Sequence, residues 1–431
     1  MNDFVQLLRH NRNYRFTWCG QVVSEIGDHF NNVAVFSLAM EHGDPGMVVT
    51  GVMLSRAIPA VMMGPLAGIL LDRFDRKRIM IASDLIRAVV ALGFIAAFKW
   101  HSTNLLYVLS ALLMAASPFF SSGRSAILPT IASQDELHTA NSLTQTTQWS
   151  TLTIGAFIGG ISAMQFGYDW AFLFNALSFV VSAACISQLR PPDGSFRAQR
   201  KNLTENDVVR PWHEYTEGLR YMRASPLILG IALIGVGWAS GGGAAQILFS
   251  LFGEQVFHRG PAGIGTLWGG AGAGLLVGAA FAHWLGKRIT FQGYKRTVLI
   301  VYIVHGGCYV VFSQMQRFWA ALIFLGISRA AVAVSSVLNT RELLEHVSDE
   351  YRGRVFATIE TLTWSTMMMS MLAAGLASRT WSPRTIGAVS GLVSSMTAAY
   401  WGWANWTRRL PEPVRAGVDA DEIEVHGDPL S

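Results

Sequence analysis

The sequence predicts an all-α membrane protein of twelve transmembrane helices. Three observations predict it: a charge deficit, apolar blocks of membrane-crossing length, and basic loops that fall on one side. Of the 431 residues, 51% are hydrophobic and only 14% charged, against about 25% charged in a soluble domain, and the mean hydropathy is positive. The apolar residues come in blocks that are long enough, or nearly so, to cross ~30 Å of hydrocarbon as helices. Spans are expected at roughly 14–40, 47–71, 79–98, 105–124, 140–166 and 170–189. A second series follows at 226–253, 263–285, 297–313, 318–339, 355–377 and 384–406.

The loops set the orientation. Arg9, Arg12 and Arg15, then Arg73, Arg76, Lys77 and Arg78, then the cations of 190–223 share one side. Lys287, Arg288, Lys295, Arg296, Arg341, Arg352, Arg354, Arg408 and Arg409 join them. The other side has scattered cations such as Lys99, Arg259, Arg317, Arg379 and Arg384. Positive loops stay in the cytoplasm, so both termini are expected there. Residues 1–10 place Phe4, Leu7 and Leu8 on one side without an apolar run, which predicts an amphipathic lead-in and no cleavable signal. Cys19, Cys185 and Cys308 are odd in number and lie in separate apolar stretches, which predicts plain packing and no disulfide framework.

The segment 190–225 opens on Pro191, Pro192, Asp193 and Gly194 and then carries mixed charge. It reads as a cytoplasmic linker with a short surface helix around 212–222. It separates a bundle at 1–189 from one at 226–407, and residues 408–431 form an acidic tail, expected to be disordered in its last part. A repeat agrees with this division. Ser133 opens a segment that reaches Trp149-Ser150-Thr151, and Ser348 opens one that reaches Trp364-Ser365-Thr366, an offset of about 215 residues. Phe36-Ser37-Leu38 and Phe249-Ser250-Leu251 match at nearly the same offset. Two pseudo-symmetric six-helix bundles follow, an architecture of many secondary transporters.

The sharpest local signal lies between the second and third spans. Gly64 and Gly68 make a flat strip on one helix face, suited to close approach of a neighbour. Asp72 then ends the helix, and Arg73, Arg76, Lys77 and Arg78 follow in a tight basic turn. Here the sequence resembles the major facilitator superfamily, whose motif A, GxxxDRxGRR/K, is carried by Gly68, Asp72, Arg73, Arg76 and Lys77. Asp75 replaces the second glycine, which resembles the macrolide-efflux and enterobactin-exporter branch of drug:proton antiporters. Similar markers run along the chain, among them Gly20-Gln21, Gly27-Asp28, Ser83-Asp84-Leu85-Ile86-Arg87, Ala140-Asn141-Ser142 and Arg352-Gly353-Arg354. The resemblance implies that Asp72 latches the halves on the cytoplasmic side against the start of the eleventh helix. It also implies a bacterial inner (plasma) membrane location. Gly155, Gly159 and Gly160 resemble the antiporter motif GPxxGG, with Ala156 in place of proline.

An ionisable group at a helix centre costs at least ~2.5–3.5 kcal/mol, so it needs a partner or a purpose. Glu25, Asp28, His29 and Asn32 share one face of the first span. Two carboxylates one turn apart resist ionising together, which suits them to carry a proton through a cycle or to contact substrate. Structural pairing with a buried arginine is the alternative. Arg56 is a candidate partner or cavity residue, Asp84 and Arg87 a candidate intramembrane pair, and Glu360 a third coupling candidate, with Arg329 as its possible partner. Trp149, Trp238, Trp268 and Trp364 are candidates to line a cavity.

These residues predict a proton-coupled exporter of a hydrophobic or amphiphilic, drug-like molecule, working by alternating access in the lipid bilayer as a monomer. A siderophore or lysophospholipid exporter is the rival within transporters. A non-transporting receptor or scaffold is the rival of another class. No Ser/His constellation at matching depths predicts an enzyme. No metal-ligand spacing and no phosphate-binding glycine loop predicts a cofactor. The basic residues sit between apolar blocks, so no nucleic-acid partner is expected.

Overall fold

The computed structural model describes residues 2–41, 43–191, 195–197 and 211–412. Its helices are α1 (Asn2–His10), α2 (Arg12–Met40), α3 (Pro45–Arg73), α4 (Arg76–Lys99), α5 (Thr103–Ile131), α6 (Gln134–Phe166) and α7 (Tyr168–Ser187). After the central segment come α8 (Pro211–Ala224), α9 (Pro226–Leu251), a π turn (Phe252–Val256), α10 (Gly260–Gly286), α11 (Phe291–Gln314), α12 (Phe318–His346), α13 (Asp349–Ala377) and α14 (Pro383–Trp406). No strand occurs among the described residues. Of the expected linker, 192–194 and 198–210 lie outside the described residues, as does 413–431 of the expected tail.

Among the described residues, eight helices are long and apolar enough to cross a membrane: α3, α4, α5, α7, α9 with its π turn, α10, α11 and α12. The exceptions of comparable length, α2, α6, α13 and α14, run 29, 33, 29 and 24 residues. Their hydropathy is diluted by polar groups, among them Glu25 and Asp28 in α2 and Glu360 in α13. Several helices outlast the apolar blocks that announced them. α5 runs to Ile131 instead of stopping near 124, α12 to His346 instead of 339, and α6 and α13 each begin six residues early. For α6 the reason is a capping box at Ser133, and other helix starts are fixed in a similar way. Asn11, Asp44, Asp75, Ser102, Thr290 and Ser382 each accept a backbone N–H of the turn they open. Such caps set a helix end wherever they stand, regardless of where hydrocarbon stops. Glu136 likewise reaches back to the backbone N–H of Ser133 at 3.0 Å to open α6.

Packing sorts the helices. In the first half α2 lies on α6 and α7, α3 on α5, and α4 on α5 and α7; in the second, α9 lies on α13 and α14, α10 on α12, and α11 on α12 and α14. The main contacts across are α6 on α10 and α3 on α13. They lie at one end, opposite the basic turns. A Cβ at Gly160 of α6 would stand 2.6 Å from Pro261 O and 3.0 Å from Gly265 Cα of α10. Gly375 of α13 packs on Thr50 of α3, and Gly46 of α3 on Ser378. Arg379 donates to Asp44 at 3.0 Å beyond them.

The apolar core follows the same division. At the end opposite the basic turns, one cluster joins both halves, from Phe36, Val49 and Phe172 to Phe249, Leu267 and Met371. Toward the basic end it splits. One cluster holds Tyr14, Met80, Ile127 and Phe196, and a separate one holds Leu227, Tyr294, Val355 and Trp401. The halves are fused at one end and parted at the other.

If close helix contact at Gly160 holds the fused end shut, Gly160→Leu must force α6 from α10, an overpacking cost of about 1–3 kcal/mol. In a cysteine-less background, cross-linking of an Asp44→Cys, Arg379→Cys pair is expected to fall in this variant while helix content by circular dichroism is kept.

Candidate substrate and coupling site

The buried charges gather around α2. Glu25 lies 13 residues from Arg12 and 15 from Met40, ~20 Å from either end of its helix. Its carboxylate accepts from Gln21 Nε2 at 2.8 Å, Thr151 Oγ1 at 2.7 Å and Arg124 Nη1 at 3.5 Å. Arg124 and Thr151 were missed as partners in the sequence. Arg124 sat at the expected end of a span, whereas α5 continues for seven residues past it and carries it inside.

One turn on, Asp28 stands 3.9 Å from Arg87 Nη1. The same guanidinium binds Asp84 on its own helix, in the pair that the three-residue spacing suggested. Arg87 lies between two rings, 4.8 Å from the centroid of Phe120 and 4.3 Å from that of Phe179. The two acids differ in access: the Asp84 side chain is fully buried, while that of Asp28 is 25% exposed. Arg87 and Asp84 are therefore a fixed unit, and Asp28 is the member that solvent can reach.

His29, Asn32 and Arg56 line a cavity of about 190 Å³ together with Phe36, Met53, Gln246 and Trp268. The cavity lies between the halves, where the core begins to part. Arg56 extends over the Phe36 ring at 5.7 Å. Of the four candidate tryptophans, Trp268 reaches this wall. Gln246, the polar group contributed by α9, carried no sequence signal, because it stands alone in an apolar run.

The motif-like glycines serve two interfaces. Gly155 and Gly159 face α2, where a Cβ would stand 3.0 Å from His29 Cβ and 3.0 Å from Phe30 Cα; Gly160 faces α10. The basic turn is held within the first half. Arg76 Nη1 donates to Ala126 O at 2.8 Å and Lys77 Nζ to Leu189 O at 2.9 Å. Asp75 caps α4 through Arg78 N at 3.0 Å and accepts from Phe196 N at 3.1 Å. Asp72 and Arg73 are exposed, with no hydrogen bond or ion pair among the described residues. A Cβ at Gly64 or Gly68 would meet nothing within 4 Å. The glycine strip thus packs on no neighbour here, because it lies at the parted end.

Arg329 and Glu360, read as a possible pair, do not meet. Arg329 lies 11 residues from Phe318 and Glu360 11 residues from Asp349, on helices of 29 residues that start from opposite ends, so they differ by ~10 Å in depth. Glu360 is exposed at the parted end, with no partner among the described residues. No group of three His, Cys, Asp or Glu among the described residues is placed to hold a metal.

Mid-depth charges between two helix groups fused at one end define a multi-pass membrane transporter, not an enzyme. The chain belongs to the Major Facilitator Superfamily, whose family profile matches residues 17–365. It is 26% identical to the uncharacterised transporter YfiS of Bacillus subtilis (strain 168), over 86% of this chain and 88% of that protein. It is 23% identical to the putative bacilysin exporter BacE of the same strain, over 84% and 89%. It is also 23% identical to macrolide efflux protein A of Streptococcus pyogenes, over 82% and 85%. Among solved structures it shares its fold with an inward-facing bacterial homologue of the iron transporter ferroportin, with a TM-score of 0.67 and 16% identity over 90% of this chain and 98% of that one. The nucleoside transporter NupG matches with a TM-score of 0.68 and 12% identity, over 91% and 98%.

Removing one member of a buried ion pair strands the other, at about 3–5 kcal/mol. Arg124→Gln is therefore expected to lower the thermal unfolding midpoint of the purified protein, and Arg124→Gln with Glu25→Gln to restore most of the loss. An unchanged midpoint in the single variant would show that Glu25 does not depend on Arg124.

Proposed function

We propose that the protein is a secondary active transporter that exports a hydrophobic or amphiphilic small molecule by alternating access, coupled to protons through Glu25 and Asp28. The observation that carries this reading is the position of these two acids. They are the partly accessible members of a buried charge network, set where one core becomes two. A carboxyl that solvent reaches from one side, and whose partner sits on a neighbouring helix, can exchange its arginine for a proton as the helices move. Residues 1–189 and 226–407 act as the two six-helix bundles of a twelve-span carrier, joined by 190–225. They rock about the site at mid-depth.

The basic loops support a reading in which the parted end and both termini face the cytoplasm across a bacterial inner membrane. The state described is then open to the cytoplasm. Asp72, Arg73, Arg76 and Lys77, with Gly68, form the gate that closes on the start of α13 in the opposite state, which accounts for the empty surroundings of Gly64 and Gly68 here. Glu360, exposed on that face of α13, completes the acidic lining. Relatives described as macrolide efflux protein and putative bacilysin exporter support export as the direction. The carrier works as a monomer, since both bundles of the site come from one chain.

In proteoliposomes with an imposed pH gradient, Glu25→Gln and Asp28→Asn are each expected to slow gradient-driven flux of an amphiphilic fluorescent substrate by at least about tenfold (~1.4 kcal/mol), with gradient-free exchange less affected. Retention of gradient-driven flux in both variants would remove the coupling assignment.

A further inference from the structure

We infer that the cavity between the halves selects a cargo with an anionic group, carboxylate or phosphate, on an apolar or aromatic body, held by Arg56, which lines the cavity, and favoured by the field of Arg329 behind its aromatic wall. The inference rests on reading that cavity as the cargo site. It begins with a comparison of charges. In the first half, Glu25 is held by Arg124, and Asp84 and Asp28 by Arg87. The acids a cationic drug would need are already engaged. Arg56 makes no hydrogen bond or ion pair among the described residues. Asp28 reaches it only through its field and is itself held by Arg87.

The second half adds a cation with no acid beside it, since Glu360 lies ~10 Å away in depth. Arg329 is 8% exposed, its Nε is buried without an acceptor, and among the described residues it forms no hydrogen bond or ion pair. Its company is aromatic: Phe249 at 5.2 Å and Tyr309 at 5.8 Å. The hydroxyl of Tyr309 is also buried without a partner, and the adjacent His305 is occupied by Ser328 Oγ at 2.7 Å. A buried guanidinium without an anion is costly, and its planar fork matches carboxylate or phosphate.

The two cations stand at one depth. Arg56 is 11 residues from Pro45 and Arg329 is 11 residues from Phe318, and both helices start from the fused end, so each lies ~16 Å in. A ladder of rings connects them. Arg56 covers Phe36, Phe36 stacks on Trp268 with centroids 6.2 Å apart, and Trp268 meets the edge of Phe249 at 5.1 Å. Arg329 covers the far ring. Phe36 and Trp268 form the apolar wall against which a cargo's body lies, and Gln246 and Asn32 supply neutral polar contacts.

The test uses one ring system in three charge states. Equilibrium dialysis of 2-naphthoate, 2-naphthamide and 2-naphthylmethylammonium is measured against the full chain in phosphatidylcholine nanodiscs. Naphthoate is expected to bind at least about tenfold tighter than the amide, and the ammonium weakest. Arg56→Gln is expected to weaken naphthoate about tenfold, and Arg329→Gln, with Arg329→Met as a second variant, to weaken it by a smaller factor, all three leaving the amide unchanged. The Arg329 variants should also raise the thermal midpoint, which loss of a structural pair would lower. Loss of naphthoate binding when phosphatidylglycerol is added would identify the anion as a lipid headgroup, and unchanged binding a soluble acid. Tighter binding of the ammonium, or naphthoate binding indifferent to both arginines, would overturn the inference. Naphthoate that binds but shows no counterflow in proteoliposomes would keep the site and remove the transport reading. Ammonium flux without naphthoate binding would do the reverse.

Discussion

The backbone-to-backbone approach of α6 and α10 governs the shape of everything around it. With no side chain at Gly160 or Gly265, the two helices touch over the half of their length that includes Thr153 and Gly269. That contact seats Trp268 against Phe36, brings Gln246 to the cavity wall, and lets one hydrophobic cluster cover both halves. Below it the helices diverge and each half has its own core. In hydrocarbon, where apolar packing alone gives little preference for protein over lipid, small residues of this kind decide which helices stay together.

A second constraint is the placement of charge. The first half takes three acids and three arginines into the membrane interior and shares them unequally. Arg87, clamped between Phe120 and Phe179, holds Asp84 where no solvent reaches, while Asp28 and Glu25 remain at the edge of accessible space. The rigid part of the network lies outward, on α4, and the yielding part inward, on α2. α2 can carry that load because its outer face packs on α7 through Gly20 and Gly27, which lie against Ser182 and Ser178.

Much of this was legible in the sequence, and the failures share a cause. Hydropathy marked where lipid is the solvent, so it found the helices but cut α5, α6, α12 and α13 short. The start of α6 is set by its capping box, and the other extensions begin at or contain charged residues, Arg124, Arg341 and Asp349 among them, where hydropathy stops. The shortened α5 hid Arg124, and with it the partner of Glu25. The one-turn spacing of Asp84 and Arg87 carried their pairing, because that contact is local. Arg329 and Glu360 were matched by charge alone, and nothing in a linear pattern reports that they lie at different depths. The ring ladder from Phe36 to Phe249 was equally invisible, because it joins α2 to α9 and α10 across more than 200 residues of chain, although both residues belong to the repeated Phe-Ser-Leu triplet.

Two guanidiniums without carboxylates at one level also bear on the electrical work of each stroke. A cargo that crosses as an anion is pushed outward by an inside-negative voltage, by ~2.3 kcal/mol per elementary charge for every 100 mV. A neutral cargo receives no such push, and a cation is pulled back by the same amount. The sign of charge that Arg56 and Arg329 admit would therefore decide whether the resting voltage assists the carrier or opposes it.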